Sequence, residues 1–147
     1  MYSTILVPLD GSSRAERILP NVEALAEKFS SQIILFQVVE PLVTGSSPYE
    51  AGALFITEEI ERRTKEATAY LTSLQNTLTE KGLTASIQVE YGPVVPTLLE
   101  VADRLQVDLV AMASHGRTGL ARVFYGSVAA GILNRIEHPL LVIRAQE

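Results

Sequence analysis

The sequence predicts an α/β protein with a parallel β-sheet and helices on both faces. Four short segments are rich in aliphatic and β-branched residues and are apolar on both faces, as in parallel strands that helices cover from both sides. Segments with helical periodicity separate them, and this alternation is typical of a doubly wound sheet with right-handed crossovers. Ligands of such folds bind beyond the carboxyl ends of the strands, where the strand order reverses.

Five strands are expected. A fifth segment, Ala85–Tyr91, alternates apolar and polar residues, which indicates a more exposed strand at an edge of the sheet. The four buried strands are Thr4–Leu9, Ile33–Val39, Leu109–Ala113 and Leu140–Ile143.

The first helix is predicted to begin at Ser13. Glu16 follows three residues later, and a serine and a glutamate at this spacing form a capping box. Pro20 lies inside the apolar pattern that follows. Because proline lacks a backbone N–H, we expect it to kink this helix.

Three further helices follow. The second is predicted from near Thr57 to Gly82, a residue type that commonly ends helices in the left-handed conformation. The third runs from about Val95 to Leu105, and the fourth from near Ser127 to a point before Pro139.

Composition restricts the classes of function. The 147 residues suit one domain spanning 1–147, and the net charge of −5 disfavours a nucleic-acid partner. The chain has no cysteine, which excludes disulfides, thiolate metal sites and cysteine nucleophiles. The first residues lack the pattern of a signal peptide, and no apolar run is long enough to cross a membrane. We therefore expect a cytoplasmic location and no membrane partner.

The segment from Ala113 to Val128 carries the strongest functional signal. It leaves a strand, contains three glycines and ends at Gly126-Ser127, where a helix is predicted to begin. Glycines allow a phosphate to approach the backbone, and the first N–H groups of a helix lack partners within the helix. Arg117 and Arg122 could add charge-assisted hydrogen bonds. A simple helix cap with no ligand would have the same local sequence.

This segment resembles the nucleotide-binding loop of the universal stress protein family, Gly-x2-Gly-x9-Gly-Ser/Thr. Gly116, Gly126 and Ser127 match the pattern, whereas Ala113 stands at the first glycine position. The resemblance extends over nearly the whole chain, through the segments ILVPLDGS at 5–12, LFQVVE at 35–40, Gly92-Pro93 and HPLLVIR at 138–144.

The resemblance implies a fold of the adenine nucleotide alpha hydrolase type, with strand order 3-2-1-4-5. It also implies bound ATP, together with a Mg²⁺ ion that the phosphates would hold, and no dedicated metal site in the protein. Asp10 would lie beside the adenosine, although an aspartate before glycine also commonly forms an Asx turn. The implied nucleotide-binding residues are Pro8, Asp10, Val38, Ala113, Gly116, Arg117, Gly126, Ser127 and Val128.

The same resemblance implies a homodimer formed through the C-terminal strand, and a signalling or stress-response role with at most slow ATP hydrolysis. No catalytic residues are assigned. Ser114 and His115 are adjacent in a strand-like segment, so their side chains point in opposite directions and do not form a nucleophile–base pair. The sequence also lacks the Gly-x-Ser-x-Gly elbow of hydrolases.

Two other functions remain open at this stage. The family has a branch that does not bind nucleotide and acts through interactions alone, and Ala113 and Val94-Val95 depart from the nucleotide-binding pattern. An ATP pyrophosphatase of a related fold is disfavoured. Such enzymes carry a Ser-Gly-Gly-type loop after the first strand, where this chain has the segment Leu9–Ser13.

Overall fold

The computed structural model describes residues 1–42, 50–115 and 127–145. They contain a five-stranded parallel sheet with the order β3-β2-β1-β4-β5, which confirms the predicted fold class and strand order. The strands are β1 (Thr4–Pro8), β2 (Gln32–Val39), β3 (Thr84–Tyr91), β4 (Leu109–His115) and β5 (Leu140–Ala145). The alternating strand is an edge strand, as expected.

Helices cover both faces of the sheet. A 3₁₀ helix (Ala15–Ile18) leads into α1 (Leu19–Phe29), which packs with α2 (Glu50–Glu80) on one face. The other face is covered by α3 (Val94–Arg104) and α4 (Ser127–Arg135). Strand order reverses between β1 and β4, so the carboxyl ends of these two strands form the switch point of the fold.

Successive residues of β1 belong to two different hydrophobic clusters. Ile5 and Val7 pack in the cluster with α1 and α2, whereas Leu6 packs in the cluster with α3 and α4. All three side chains are fully buried. Because side chains alternate along a strand, a central strand with helices on both faces must be apolar at every position.

Two predictions for the first helix are wrong. Ser12 rather than Ser13 provides the cap, because its Oγ accepts a hydrogen bond from the Ala15 N–H at 3.1 Å. Pro20 does not kink a continuous helix. It is the second residue of α1, in the first turn after the 3₁₀ helix, where a proline is tolerated because the N–H groups of a first turn lack partners within the helix.

The helix α2 begins seven residues before the predicted Thr57, at Glu50. Leu54 and Phe55 in its first turns are 63% and 61% exposed, so the apolar periodicity starts only where the helix reaches the sheet. Its end agrees with the prediction, since Gly82 has a φ of +85°. The Leu83 N–H donates to the Leu78 carbonyl and the Gly82 N–H to the Thr79 carbonyl, which is the Schellman arrangement.

The packing of α2 against the sheet can be tested with two leucine substitutions in this one helix. Leu71 is fully buried, whereas Leu54 is mostly exposed. We expect Leu71→Ala to lower the free energy of unfolding by about 3 kcal/mol, because it removes buried methyl groups and leaves a cavity. Leu54→Ala should change it by no more than about 0.5 kcal/mol. Urea denaturation followed by circular dichroism measures both, and equal losses would contradict the packing described.

Candidate functional site

A cavity of about 170 Å³ opens at the switch point, at the carboxyl ends of the strands, and residues from both faces of the sheet line it. We call it the switch-point cavity. It receives residues from the ends of β1, β2 and β4, from the turn before α1, and from the first turns of α3 and α4. Its lining residues are Pro8, Leu9, Asp10, Ser12, Arg14, Ala15, Glu40, Val94, Met112, Ala113 and Val128.

The inner wall of the switch-point cavity is apolar, whereas its polar groups come from two loops. Pro8 and Met112 continue the side of the sheet that faces α3 and α4, and Val128 joins them from α4. Asp10 and Glu40 follow β1 and β2 respectively. An apolar wall with a few convergent polar groups is typical of a site for a small organic ligand.

Asp10 forms the Asx turn that the sequence left as an alternative. Its Oδ1 accepts hydrogen bonds from the Ser12 backbone N–H at 2.9 Å and from the Ser12 hydroxyl at 2.5 Å. Within the described part of the chain, its Oδ2 accepts no hydrogen bond. One oxygen therefore shapes the turn, and the other is available to a ligand in the cavity. The two interpretations of Asp10 are compatible.

A long-range hydrogen bond ties this turn to α2. The Tyr70 hydroxyl donates to Glu16 Oε2 at 2.7 Å. Burial, the hydrogen bond to Glu16 and the nearby negative charges of Glu16 and Asp10 all raise the pKa of Tyr70, with burial the largest cause. The phenol therefore stays protonated and remains a donor. The segment from Ser12 to Glu16 is therefore fixed at one end by the hydrogen bonds of Ser12 to Asp10 and at the other by the hydrogen bond of Glu16 to Tyr70.

The helix α4 begins at Ser127, as predicted, and its second residue Val128 lines the cavity. The amino end of a helix presents free N–H groups and a partial positive charge, which favours an anion. The predicted residues Gly116, Arg117 and Gly126 lie outside the described residues, as does Arg122. The structure therefore brings together Pro8, Asp10, Ala113 and Val128 from the predicted set.

Close packing fixes α4 against α3 beside the cavity. A Cβ atom added to Gly131 of α4 would lie 3.1 Å from Cγ2 of Val95 in α3, which is closer than side chains normally approach. The neighbouring Val94 lines the cavity. The lack of a side chain at Gly131 thus lets the two helices approach where they border the site.

Val38 was predicted to contribute its backbone to the nucleotide site. Its side chain packs in the cluster with α3 and α4, and the residue also borders a second cavity. This second cavity, of about 440 Å³, lies beneath α2 and shares only Asp10 and Glu40 with the switch-point cavity. Its charged residues on α2 are already paired, Arg63 with Glu59 at 3.2 Å and Glu66 with Arg62. Other residues of this cavity are Gly11, Gln37, Val39, Ala67 and Tyr70.

Sequence reasoning missed several residues of the switch-point cavity: Ser12, Arg14, Glu40, Val94 and Met112. Glu40 had a usable signal, because it directly follows a buried strand that ends beside the switch point. Among the described residues, no cluster of three histidine, aspartate or glutamate side chains could hold a metal ion. No helix within the described ranges is both long and apolar enough to cross a bilayer.

Comparison with known proteins identifies the family. The family model described as "Universal stress protein family" matches residues 1–144. The chain belongs to the universal stress protein family. The universal stress protein Sll1388 of Synechocystis is 30% identical over 97% of this chain and 98% of its own length. The solved structure of MJ0577, a universal stress protein of Methanocaldococcus jannaschii, superimposes with a TM-score of 0.83 at 26% identity, over 100% of this chain and 99% of that one.

Structures with an adenine nucleotide occur in this family. One is a universal stress protein in complex with cAMP, which is 23% identical, has a TM-score of 0.63, and aligns with 99% of this chain and 98% of its own. Another is At3g01520 of Arabidopsis thaliana with AMP bound, at 17% identity and a TM-score of 0.66, over 98% of this chain and 92% of its own. At these identities the likeness establishes a shared fold.

The bond between α2 and the cavity turn can be tested by Tyr70→Phe. We expect the free energy of unfolding at neutral pH to fall by about 1 kcal/mol, the usual contribution of such a hydrogen bond. The exposed Tyr91, replaced by phenylalanine, is the control.

The raised pKa of Tyr70 also gives a pH dependence. Below about pH 10 the phenol is protonated in both the folded and the unfolded chain, so the free energy of unfolding does not vary with pH through this group. Above that pH the unfolded chain loses the proton first, and stability falls. Tyrosinate absorbance should show one phenol of the wild type titrating later than the others, and this late phase should vanish in Tyr70→Phe. Its persistence in that variant would contradict the assignment.

Proposed function

We propose that this chain is an ATP-binding universal stress protein, a single-domain stress-response or signalling module with at most slow ATP hydrolysis. The supporting observation is the switch-point cavity, which combines an apolar wall, the free Oδ2 of Asp10 and the amino end of α4. These are the three kinds of surface that a base, a ribose and a phosphate chain require.

The proposed ligand would use both described residues and predicted residues that lie outside the described ranges. The adenine would pack against Pro8 and Met112, and the backbone of Val38 would bind its edge. The ribose hydroxyls would donate to Asp10 Oδ2. Backbone N–H groups at Gly116, Gly126, Ser127 and Val128, together with Arg117, would bind the phosphates, and Ala113 would lie beneath them. A Mg²⁺ ion would neutralise phosphate charge and would be held mainly by phosphate oxygens and water.

The site geometry favours binding over turnover. Ser114 is only 6% exposed, and its Oγ donates to the Ile143 carbonyl at 3.3 Å, so its hydroxyl is engaged in joining β4 to β5. It is therefore not an available nucleophile. In this proposal ATP acts by stabilising one conformation or assembly of the protein. The cytoplasmic location remains a prediction.

One observation favours a second function, an interaction module that binds no nucleotide. Ala113 lines the switch-point cavity at the position where the nucleotide-binding branch has glycine. A larger residue there narrows the space beneath the phosphates. Titration with ATP distinguishes the two functions, because only the first requires that the protein bind ATP.

We also propose a homodimer formed through β5. This strand is at the edge of the sheet, and Val142 on it is 39% exposed. Leu133 on the adjacent α4 is 67% exposed. Pairing with a second copy would cover the apolar side chains and satisfy the free backbone groups of an edge strand.

Asp10→Asn tests the nucleotide site. The asparagine keeps the Oδ1 acceptor of the Asx turn and replaces the free oxygen by an amide donor. We expect ATP affinity, measured by calorimetry with Mg²⁺, to fall about tenfold or more, because a hydrogen bond to a charged group is lost. Asp108→Asn is the matched control. Asp108 also accepts a backbone hydrogen bond, from Thr4 at 2.8 Å, but it lies at the opposite end of β1.

Absence of ATP binding by the wild type would reject the nucleotide proposal in favour of the interaction module. Equal binding by the wild type and Asp10→Asn would leave ATP as a ligand but remove Asp10 from its site.

Val142→Lys tests the dimer. A buried, unpaired charge at a β5 interface is costly, so we expect light scattering to give the mass of a dimer for the wild type and of a monomer for the variant. The control is Tyr91→Lys on β3, the other edge strand, where Tyr91 is 54% exposed. A monomeric wild type, or a dimer that only Tyr91→Lys dissociates, would reject the β5 interface.

A further inference from the structure

Arg14 is a cationic side chain in the wall of the switch-point cavity. Neither the sequence motifs nor the proposed nucleotide site gives it a role. It is partly buried. Over residues 1–42, 50–115 and 127–145, no hydrogen bond or ion pair engages its guanidinium group, although Asp10 and Glu40 line the same cavity. A partly buried arginine whose donors meet no acceptor in these ranges is suited to an anionic ligand.

The fold puts Arg14 at one particular end of the cavity. The 3₁₀ helix that follows it packs against β4 and β5, away from β2. The amino end of α4, which follows β4 in the chain, borders this same side through Val128. Glu40 follows β2 and so lies toward the other end. The cavity is thus polarised, with a cation and a helix amino end opposite a carboxylate.

The backbone that carries Arg14 is fixed before any ligand binds. Two residues earlier, Ser12 bonds to Asp10 and caps Ala15. Two residues later, Glu16 accepts the hydrogen bond from Tyr70. A side chain on a fixed turn loses less conformational freedom when it binds, so more of its interaction energy contributes to affinity.

We propose that Arg14 binds the phosphate chain of the nucleotide and makes the site select its ligands by charge, so that ATP binds more tightly than adenosine. This inference rests on the proposed function and adds a residue and a selection rule to it. Glu40 repels phosphate from the β2 end, and Arg14 attracts it toward the α4 end. Together they fix the direction in which the nucleotide lies.

The test compares ATP and adenosine by calorimetry in the wild type, Arg14→Gln, Arg14→Lys and Arg17→Gln. Arg17 is the matched control, because it has the same charge and lies on the same turn but is exposed and does not line the cavity. We expect Arg14→Gln to lose about tenfold in ATP affinity through the loss of a charge-assisted hydrogen bond. Adenosine affinity should stay unchanged, Arg14→Lys should be intermediate, and Arg17→Gln should match the wild type.

Three results would overturn the inference. If the wild type binds ATP and Arg14→Gln binds it equally well, Arg14 is not a phosphate ligand, although the proposed function stands. If Arg14→Gln loses ATP and adenosine affinity by the same factor, Arg14 supports the fold of the site rather than charge selection. If the wild type binds neither compound, the proposed function and this inference fail together.

Discussion

The burial of β1 on both faces is the constraint on which the rest of the structure depends. Ile5, Leu6 and Val7 are completely buried, and they divide the hydrophobic core into one cluster under α1 and α2 and another under α3 and α4. A strand in this position must have neighbours on both edges, which β2 and β4 provide. The crossovers therefore leave in opposite directions from β1, and the space between their starting points becomes the switch-point cavity.

The turn after β1 supplies the polar groups that distinguish this switch-point cavity from the same cavity in other doubly wound folds. Asp10 and Ser12 bond to each other, Ser12 caps the 3₁₀ helix, and Tyr70 holds Glu16 from α2. Within the described residues, these contacts leave one carboxylate oxygen of Asp10 and the guanidinium group of Arg14 without a partner at the wall of the switch-point cavity. The turn that carries Asp10 and Arg14 is therefore tied to α2.

Most of the fold could be predicted from the sequence, because alternating apolar strands and helical segments specify a parallel doubly wound sheet. The place of one strand was not, since Leu140–Ile143 was predicted as a buried strand but forms the edge strand β5, where Val142 is 39% exposed. The apolar run at Thr4–Leu9 was correctly predicted as a buried strand, and the alternation at Ala85–Tyr91 as an edge strand. The start of α2 was missed because exposed turns need no apolar pattern. The cap was misplaced by one residue because Ser12 and Ser13 are chemically identical and only the turn geometry distinguishes them.

The candidate site was less predictable than the fold. Residues next to strand ends, such as Asp10 and Ala113, could be found from the chain order alone. Glu40, which directly follows β2, could have been found in the same way, whereas Arg14 could not, because it lies four residues beyond Asp10 and reaches the cavity only through the geometry of the turn. Val38 was assigned through its backbone, and this assignment stays a prediction.

The most direct measurement of the central claim is the change in backbone amide resonances when Mg²⁺ and ATP are added to isotopically labelled protein. We expect the largest shifts at Asp10, Ala113 and Val128, around the switch-point cavity, and none at Asp108 and Lys81 at the other end of the sheet. Saturating shifts with this distribution would establish a nucleotide at the proposed site. Unchanged spectra at millimolar ATP, or shifts confined to the second cavity beneath α2, would contradict the account.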